Sequence, residues 1–324
     1  MLRIEILLKK TGQVLITLLS VATFNFILFR VLPGDPIRLM ARAGHLSPEA
    51  IARLRQVFGL DRPLIVQYFY YLRNVVTGEL GISVTYRRSV AEILQERIAN
   101  TLILLGAATV IVVTVGIVAG VIAAARRGSR VDSSLVITSL VFWSLPTFWT
   151  GLVLVIILGV YLNAFPVSGM ASPGLSSAIS FANLGDIGKH LILPTLTLAI
   201  VDMGQFTLIT RSSLIDVLTE DYILTARAKG LPPRKVLWGH GVPNALLPVI
   251  TTTALYVSLV VGGAIQVETV FSWPGMGRLM YDAVLRRDYP LLEASFLLSA
   301  ATVILANFLS DIAYLLIDPR VKEA

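Results

Sequence analysis

The sequence predicts an all-α membrane protein, and three observations lead there. Of 324 residues, 55% are hydrophobic and 15% charged, whereas soluble domains carry about 25% charged residues. Six apolar runs, covering approximately residues 11–31, 101–125, 134–161, 190–210, 246–268 and 291–317, reach or exceed the roughly 20 residues a helix needs to cross hydrocarbon. Backbone groups in lipid must be paired within the segment, and these runs are too continuous for tilted barrel strands, so each reads as a helix.

The first run follows MLRIEILLKK and could pass for the core of a signal peptide. It continues to Arg30 without a small-residue cleavage site, so it reads as a retained helix. Between the first two runs lies a long loop, residues 32–100, with helical signals of its own. SPEAIARLRQVFGL offers Ser47 as an N-cap, Pro48 in the first turn, and Ile51, Leu54 and Phe58 on one face. Ser89 and Glu92 fit a capping box that opens a helix carrying Ile93 and Leu94 into the second run. A helical external region over residues 32–97 is therefore expected, with a five-helix core over 98–320. In the second run, Gly116 and Gly120 make a small-xxx-small pair, suited to close helix contact or merely typical of membrane helices. Pro146 and Pro194 interrupt the third and fourth runs, as hinges or as tolerated kinks.

The formal charge of +7 would suit nucleic acid if it formed one soluble face, but the basic residues flank the apolar runs instead. The termini and the even-numbered loops hold Arg3, Lys9, Lys10, Arg126, Arg127, Arg130, Arg211, Arg227, Lys229, Arg234, Lys235, Arg320 and Lys322. The opposite short loops hold only Lys189, Arg278, Arg286 and Arg287. The charge is thus topological and places both termini in the cytoplasm. No cysteine is present, which excludes disulfides and thiolate chemistry. His45, His190 and His240 lie far apart without metal-ligand spacing, so no metal or cofactor is expected. Nor is there a recognisable nucleophile elbow, a carboxylate pair or a G-x-x-x-x-G-K-[ST] phosphate loop.

The stretch DYILTARAKGLPPRKVLWGHG, residues 221–241, asks for a function. Thr219 can cap a helix over about 220–229, Gly230 can take the left-handed position that ends it, and Pro232 and Pro233 can open a second short helix at Arg234. Tyr222, Ile223, Ala226 and Leu237 would then face water unless a partner covers them. Two readings follow: a helix docked in a groove of a cytoplasmic subunit, or a basic loop lying on anionic lipid.

Polar residues inside the runs are further candidates, because hydrocarbon penalises them. Asn25, Asp202, Gln205, Asn307 and Asp311 qualify, either lining a pathway or bonding helices together. The FSWPGMGRLMYDAVLRRDYP stretch suits a gate, a binding-protein contact or a re-entrant plug.

TARAKG, ending at Gly230 and followed by Pro243, resembles the EAA loop of permeases in binding-protein-dependent ABC importers. Leu224 and Thr225 stand where an acidic residue and an alanine are usual, whereas Ala226 and Gly230 match. DYxxTARAKG is similar to the variant of the dipeptide, oligopeptide and nickel branch, of first-permease type. RVLPGDP (30–36), FGLDRPLIVQY (58–68), GELGIS (78–83), SLPTFW (144–149), VETVFSWPGMGRL (267–279), RDYP (287–290) and IDPR (317–320) follow in the order of that branch. The resemblance implies the MetI-like architecture of six transmembrane helices and an inner-membrane, non-catalytic subunit. It also implies a second permease, two cytoplasmic ATPases and an external solute-binding protein, with short peptides as cargo. Asp221, Tyr222, Thr225, Ala226, Arg227, Lys229, Gly230 and Pro243 would form the coupling loop, within about 211–245. An ion-coupled transporter using Asp202 or Asp311 is the alternative, although the inverted repeats it needs are not evident.

Overall fold

A computed structural model describes residues 2–30, 62–175, 182–261 and 264–317. In chain order its helices are α1 (Leu2–Arg30), α2 (Leu64–Thr77), α3 (Val90–Ala125), α4 (Arg130–Ser144), α5 (Thr147–Leu154), α6 (Leu184–Val217), α7 (Asp221–Ala228), α8 (Pro233–Val236), α9 (Val242–Val261), α10 (Ile265–Val270), α11 (Met276–Arg286) and α12 (Tyr289–Ile317). α5 and α8 run on into wider π-helical stretches, Val155–Tyr161 and Leu237–Gly241. Among the described residues no strand forms beyond one antiparallel bridge between Ile82 and Ser89. Among the described residues, four helices, α1, α3, α6 and α12, contain stretches long and apolar enough to cross a membrane, and α4 with α5 makes a fifth if that bent pair is one span.

The expected third run is not one straight helix. Pro146 takes the N-cap position of α5 and forces Leu145 into extended backbone, at φ −74° and ψ 135°, as the residue before proline prefers. α4 and α5 consequently meet at 100°. Pro194, by contrast, sits inside α6 without ending it. The expected fifth run divides into α9 and α10. The helix expected from Ser47 lies outside the described residues. Ser89 does precede α3, but it makes no side-chain cap; the backbone N–H of Val90 donates to Gly81 O, and Glu92 lies 3.6 Å from Arg88 instead. α3 nevertheless runs unbroken from there, with Ile93 and Leu94 buried.

Around α3 and α6 the rest is arranged. They run parallel, Leu104 and Leu105 meeting Leu193 and Leu198 at one end, Val121 and Ala124 meeting Leu214 at the other. Between these, a Cβ on Gly116 would overlap that of Phe206, and one on Gly120 would stand 2.5 Å from the Thr210 Cβ and 2.7 Å from the Thr207 carbonyl. The glycine pair therefore brings two backbones together, the close-contact reading. Gly204 does the same for α4, its Cα facing the Ser139 carbonyl. α9 runs antiparallel along this pair, with Val249 and Tyr256 beside Val112 and Phe206. α12 and α1 form an antiparallel flank joined by Lys10 to Asp311 at one end and Asn25 to the Glu293 carbonyl at the other.

Replacing Gly120 by valine inserts volume against backbone that cannot retreat, where overpacking costs about 1–3 kcal/mol. Gly120→Val is expected to lower the thermal unfolding midpoint of the purified protein in detergent. Gly12→Val, with nothing within 4 Å of the added Cβ, is expected to leave it unchanged.

Candidate functional site

The chain leaves α6 through Leu218, and Thr219 does not cap the next helix: its hydroxyl turns back to donate to Asp216 O at 2.6 Å. Glu220 takes the cap position in extended backbone, and α7 starts at Asp221. An acidic residue in the first turn and Arg227 in the last both complement the helix dipole. α7 ends as its sequence demands. Gly230 has φ +76°, its N–H donates to Arg227 O at 2.9 Å, and the Leu231 N–H reaches Ala226 O at 3.4 Å, the paired bonds of a Schellman stop. Pro232 then caps α8, and Pro233, one residue before the expected start, opens it.

This hairpin has a core of its own. Ile223, Ala226 and Val236 are buried against one another, flanked by Leu218 and Leu231. Ile223 and Ala226 therefore do not face water, contrary to expectation, because α8 folds back over that side of α7. The outward apolar side chains are Tyr222, Leu224 and Trp238, at 42%, 53% and 54% exposure. Beside them Pro232, Arg234, Lys235, Trp238 and Gly239 line an open groove of about 750 Å³. Asp221, Thr225, Arg227, Lys229 and Pro243 are exposed as well. The π-helical stretch joins the hairpin to α9, and a Cβ on Gly241 would stand 3.2 Å from the Leu214 and Leu218 side chains. Ser213 further donates to Ala245 O at 3.0 Å, tying α6 to α9 below the hairpin. Close by, Arg211 grips Asp132 at the start of α4 through two bonds of 2.6 and 2.8 Å.

The intramembrane candidates separate. Asp202 accepts a 2.8 Å bond from the Tyr256 hydroxyl, linking α6 to α9, and Gln205 is half-buried nearby. Asp311 pairs with Lys10. Asn307, one turn earlier, is exposed and does not join it. Asn25 is buried and donates to Tyr71 Oη at 3.0 Å; burial pushes that phenol up to about 12.

At the opposite end of the bundle lies an arrangement that sequence reasoning missed. Glu268 is fully buried and accepts bonds from Thr101 Oγ1 at 2.7 Å and the Arg278 N–H at 2.9 Å, with Gly275 packed on its carboxylate. Thr101 in turn accepts from the Met276 N–H at 2.8 Å. Trp273 is buried and donates to Asn100 O, while Asn100 donates to Pro274 O. The SWPGMG stretch is thus a fixed turn hung on α3. A carboxylate within an apolar run was the available signal for Glu268. Two further stretches meet nearby: Asp288 of RDYP is buried, accepts from Ser83 Oγ and the Thr85 N–H, and caps α12. His190 bonds to Ser168 O and Ser172, strapping the segment after Tyr161 onto α6.

The chain belongs to the family of inner membrane components of binding-protein-dependent transport systems: that family's model matches residues 116–323, and the model of the family's N-terminal part matches residues 1–105. It is 38% identical over 336 residues to the dipeptide transport system permease protein DppB of Escherichia coli K12, covering 99% of both chains. It is also 38% identical to the oligopeptide permease AppB of Bacillus subtilis 168, covering 98% of both. A di/tripeptide permease of Pseudomonas aeruginosa UCBPP-PA14 is 39% identical over 97% of this chain and 98% of its own. The fold is similar to a chain of the inward-facing MetNI methionine ABC transporter, with a TM-score of 0.56 and 15% identity over 70% of this chain and 96% of that one. The protein is accordingly a multi-pass inner-membrane permease subunit of an ABC importer, with the all-α, MetI-like fold, and ATP hydrolysis resides in separate subunits. The ion-coupled alternative finds no support in these relatives.

Removing the Glu268 carboxylate leaves the Thr101 hydroxyl and a backbone N–H without their acceptor, at about 1–3 kcal/mol per buried group. Glu268→Ala is expected to lower the unfolding midpoint in detergent clearly. Glu268→Gln, which keeps one acceptor oxygen, is expected to lower it less.

Proposed function

We propose that this chain forms half of the translocation pathway for short peptides and couples to two cytoplasmic ATPases through residues 221–243. A second, similar permease completes the pathway, and an external solute-binding protein delivers the cargo. The observation that carries the coupling role is the hairpin itself: a self-supported core that leaves Tyr222, Leu224 and Trp238 outward beside a basic groove. Within it Asp221, Tyr222, Thr225, Arg227, Lys229 and Pro243 are placed to meet the partner. Ala226 and Gly230 hold the shape, through the buried core and the left-handed turn. The peptide cargo follows from the relatives' names and from identity spanning nearly the whole chain.

In this reading both termini and the hairpin are cytoplasmic. Six spans result when the bent α4–α5 pair counts as one and α9 as another; at 1.5 Å per residue, the 20 residues of α9 reach about 30 Å. Residues 1–97 form the first span with an external helical region, and 98–320 form the core. Asp202 and Gln205 are the pathway candidates. Asp311 ties α12 to α1 through Lys10, while Asn307 faces outward.

A leucine-sized side chain withdrawn from water contributes about 1.5–3 kcal/mol. Leu224→Asp is therefore expected to leave insertion and thermal stability unchanged while weakening ATPase co-purification at least about tenfold. Gly230→Pro, which lacks the N–H that bonds Arg227 and cannot adopt positive φ, is expected to abolish co-purification with the protein still inserted. Full ATPase retention and transport in both variants would overturn the coupling role.

A further inference from the structure

Near the Glu268 turn, α3 and α11 enclose a pocket of about 370 Å³ lined by Tyr86, Arg97, Ser272, Pro274, Arg278 and Asp282. Its volume falls in the range of small-molecule sites, about 300–1,000 Å³. Its walls are fixed. Ser272 has φ +52°, Trp273 is buried beside it, and the Arg278 N–H is bonded to Glu268.

What distinguishes the pocket is a guanidinium with one buried, unbonded N–H. Arg97 Nε is buried and has no hydrogen-bond partner, although the residue as a whole is half-buried and its charge acts on Glu96 and Glu268. The surrounding carboxylates make their hydrogen bonds and close contacts with other groups. Glu96 is held by two bonds to Arg88 and Glu92 lies 3.6 Å from the same arginine. Glu268 is occupied by Thr101 and the Arg278 N–H, and Asp282 stands 3.8 Å from Arg278. A buried N–H donor without an acceptor is costly. The pocket therefore favours an incoming anion, and a guanidinium fork matches a carboxylate in particular.

We propose that this pocket binds the free carboxylate of the cargo, with Arg97 as its principal donor and Arg278 beside it. The proposal rests on the reading of the chain as an importer of short peptides, and it narrows the substrate class to peptides with an unblocked C-terminus. Lodged between α3 and the Glu268 turn, the carboxylate would be met at the end of the bundle away from the coupling hairpin.

The test uses the complete transporter in nanodiscs, labelled with the arginine reagent phenylglyoxal and read residue by residue by mass spectrometry. Dialanine is expected to slow labelling of Arg97 several-fold and dialanine amide is not, with Arg227 of the hairpin unaffected by either. Equal protection by both, or by neither, overturns the proposal. In a second measurement, proteoliposomes receive binding protein saturated with dialanine or with dialanine amide. The wild type's preference for the free acid is expected to fall toward one in Arg97→Gln and to be partly kept in Arg97→Lys; an unchanged preference in Arg97→Gln overturns the proposal. Wild-type import of peptides without protection of Arg97 removes the pocket but keeps the import reading. Protection of Arg97 by dialanine without import of any peptide keeps the carboxylate site and removes the import reading. Should Arg97→Gln fail to assemble, the wild-type labelling decides.

Discussion

The approach of the α3 backbone to α6 at Gly116 and Gly120 is the constraint on which the rest of the molecule depends. In lipid, helices gain little by hiding apolar side chains from one another, because hydrocarbon is an equally good solvent for them. Association then relies on contact at van der Waals distance, and two glycines facing Phe206 and Thr210 provide it. Gly204 repeats the device toward α4. Once these three helices are locked, α9 has one groove to fill, and the Tyr256–Asp202 bond settles how it fills it. α6 and α9 are held together at both ends of that groove, so the hairpin between them has a rigid base.

The two ends of the bundle are built by different chemistry. At the hairpin end, apolar contacts among Ile223, Ala226 and Val236 make a small core, and charges are left outward. At the other end, buried carboxylates organise the backbone. Glu268 gathers the SWPGMG turn, and Asp288 ties the segment around Ser83 to the start of α12. Buried anions of this kind hold only where every lone pair finds a donor, and here hydroxyls and backbone N–H groups supply them. The pocket beside Glu268 inherits that rigidity.

Much of this was legible from residues alone, where local chemistry decides. Gly230 followed by Pro-Pro dictates a stop and a restart, and the apolar lengths dictate helices. What escaped the sequence was tertiary. Nothing local shows that α8 folds back on α7, so Ile223 and Ala226 read as exposed when they are core. Thr219 resembled a cap, but its hydroxyl found a nearer acceptor in the preceding turn. Pro146 and Pro194 look alike in sequence, yet one ends a helix and the other is carried within it. Glu268 was hidden because its partners, Thr101 and the amide of Arg278, come from different parts of the chain.

The π-helical stretch Leu237–Gly241 has a mechanical meaning. Above it the Schellman stop and two prolines restrict the hairpin backbone. Below it α9 runs for 20 residues, with Pro248 carried inside it. Between them lie five residues, two of them glycines, where the hydrogen-bond spacing is widened. Under the coupling role proposed above, such a stretch would act as a universal joint, letting α9 pivot about its own foot while the hairpin keeps its shape.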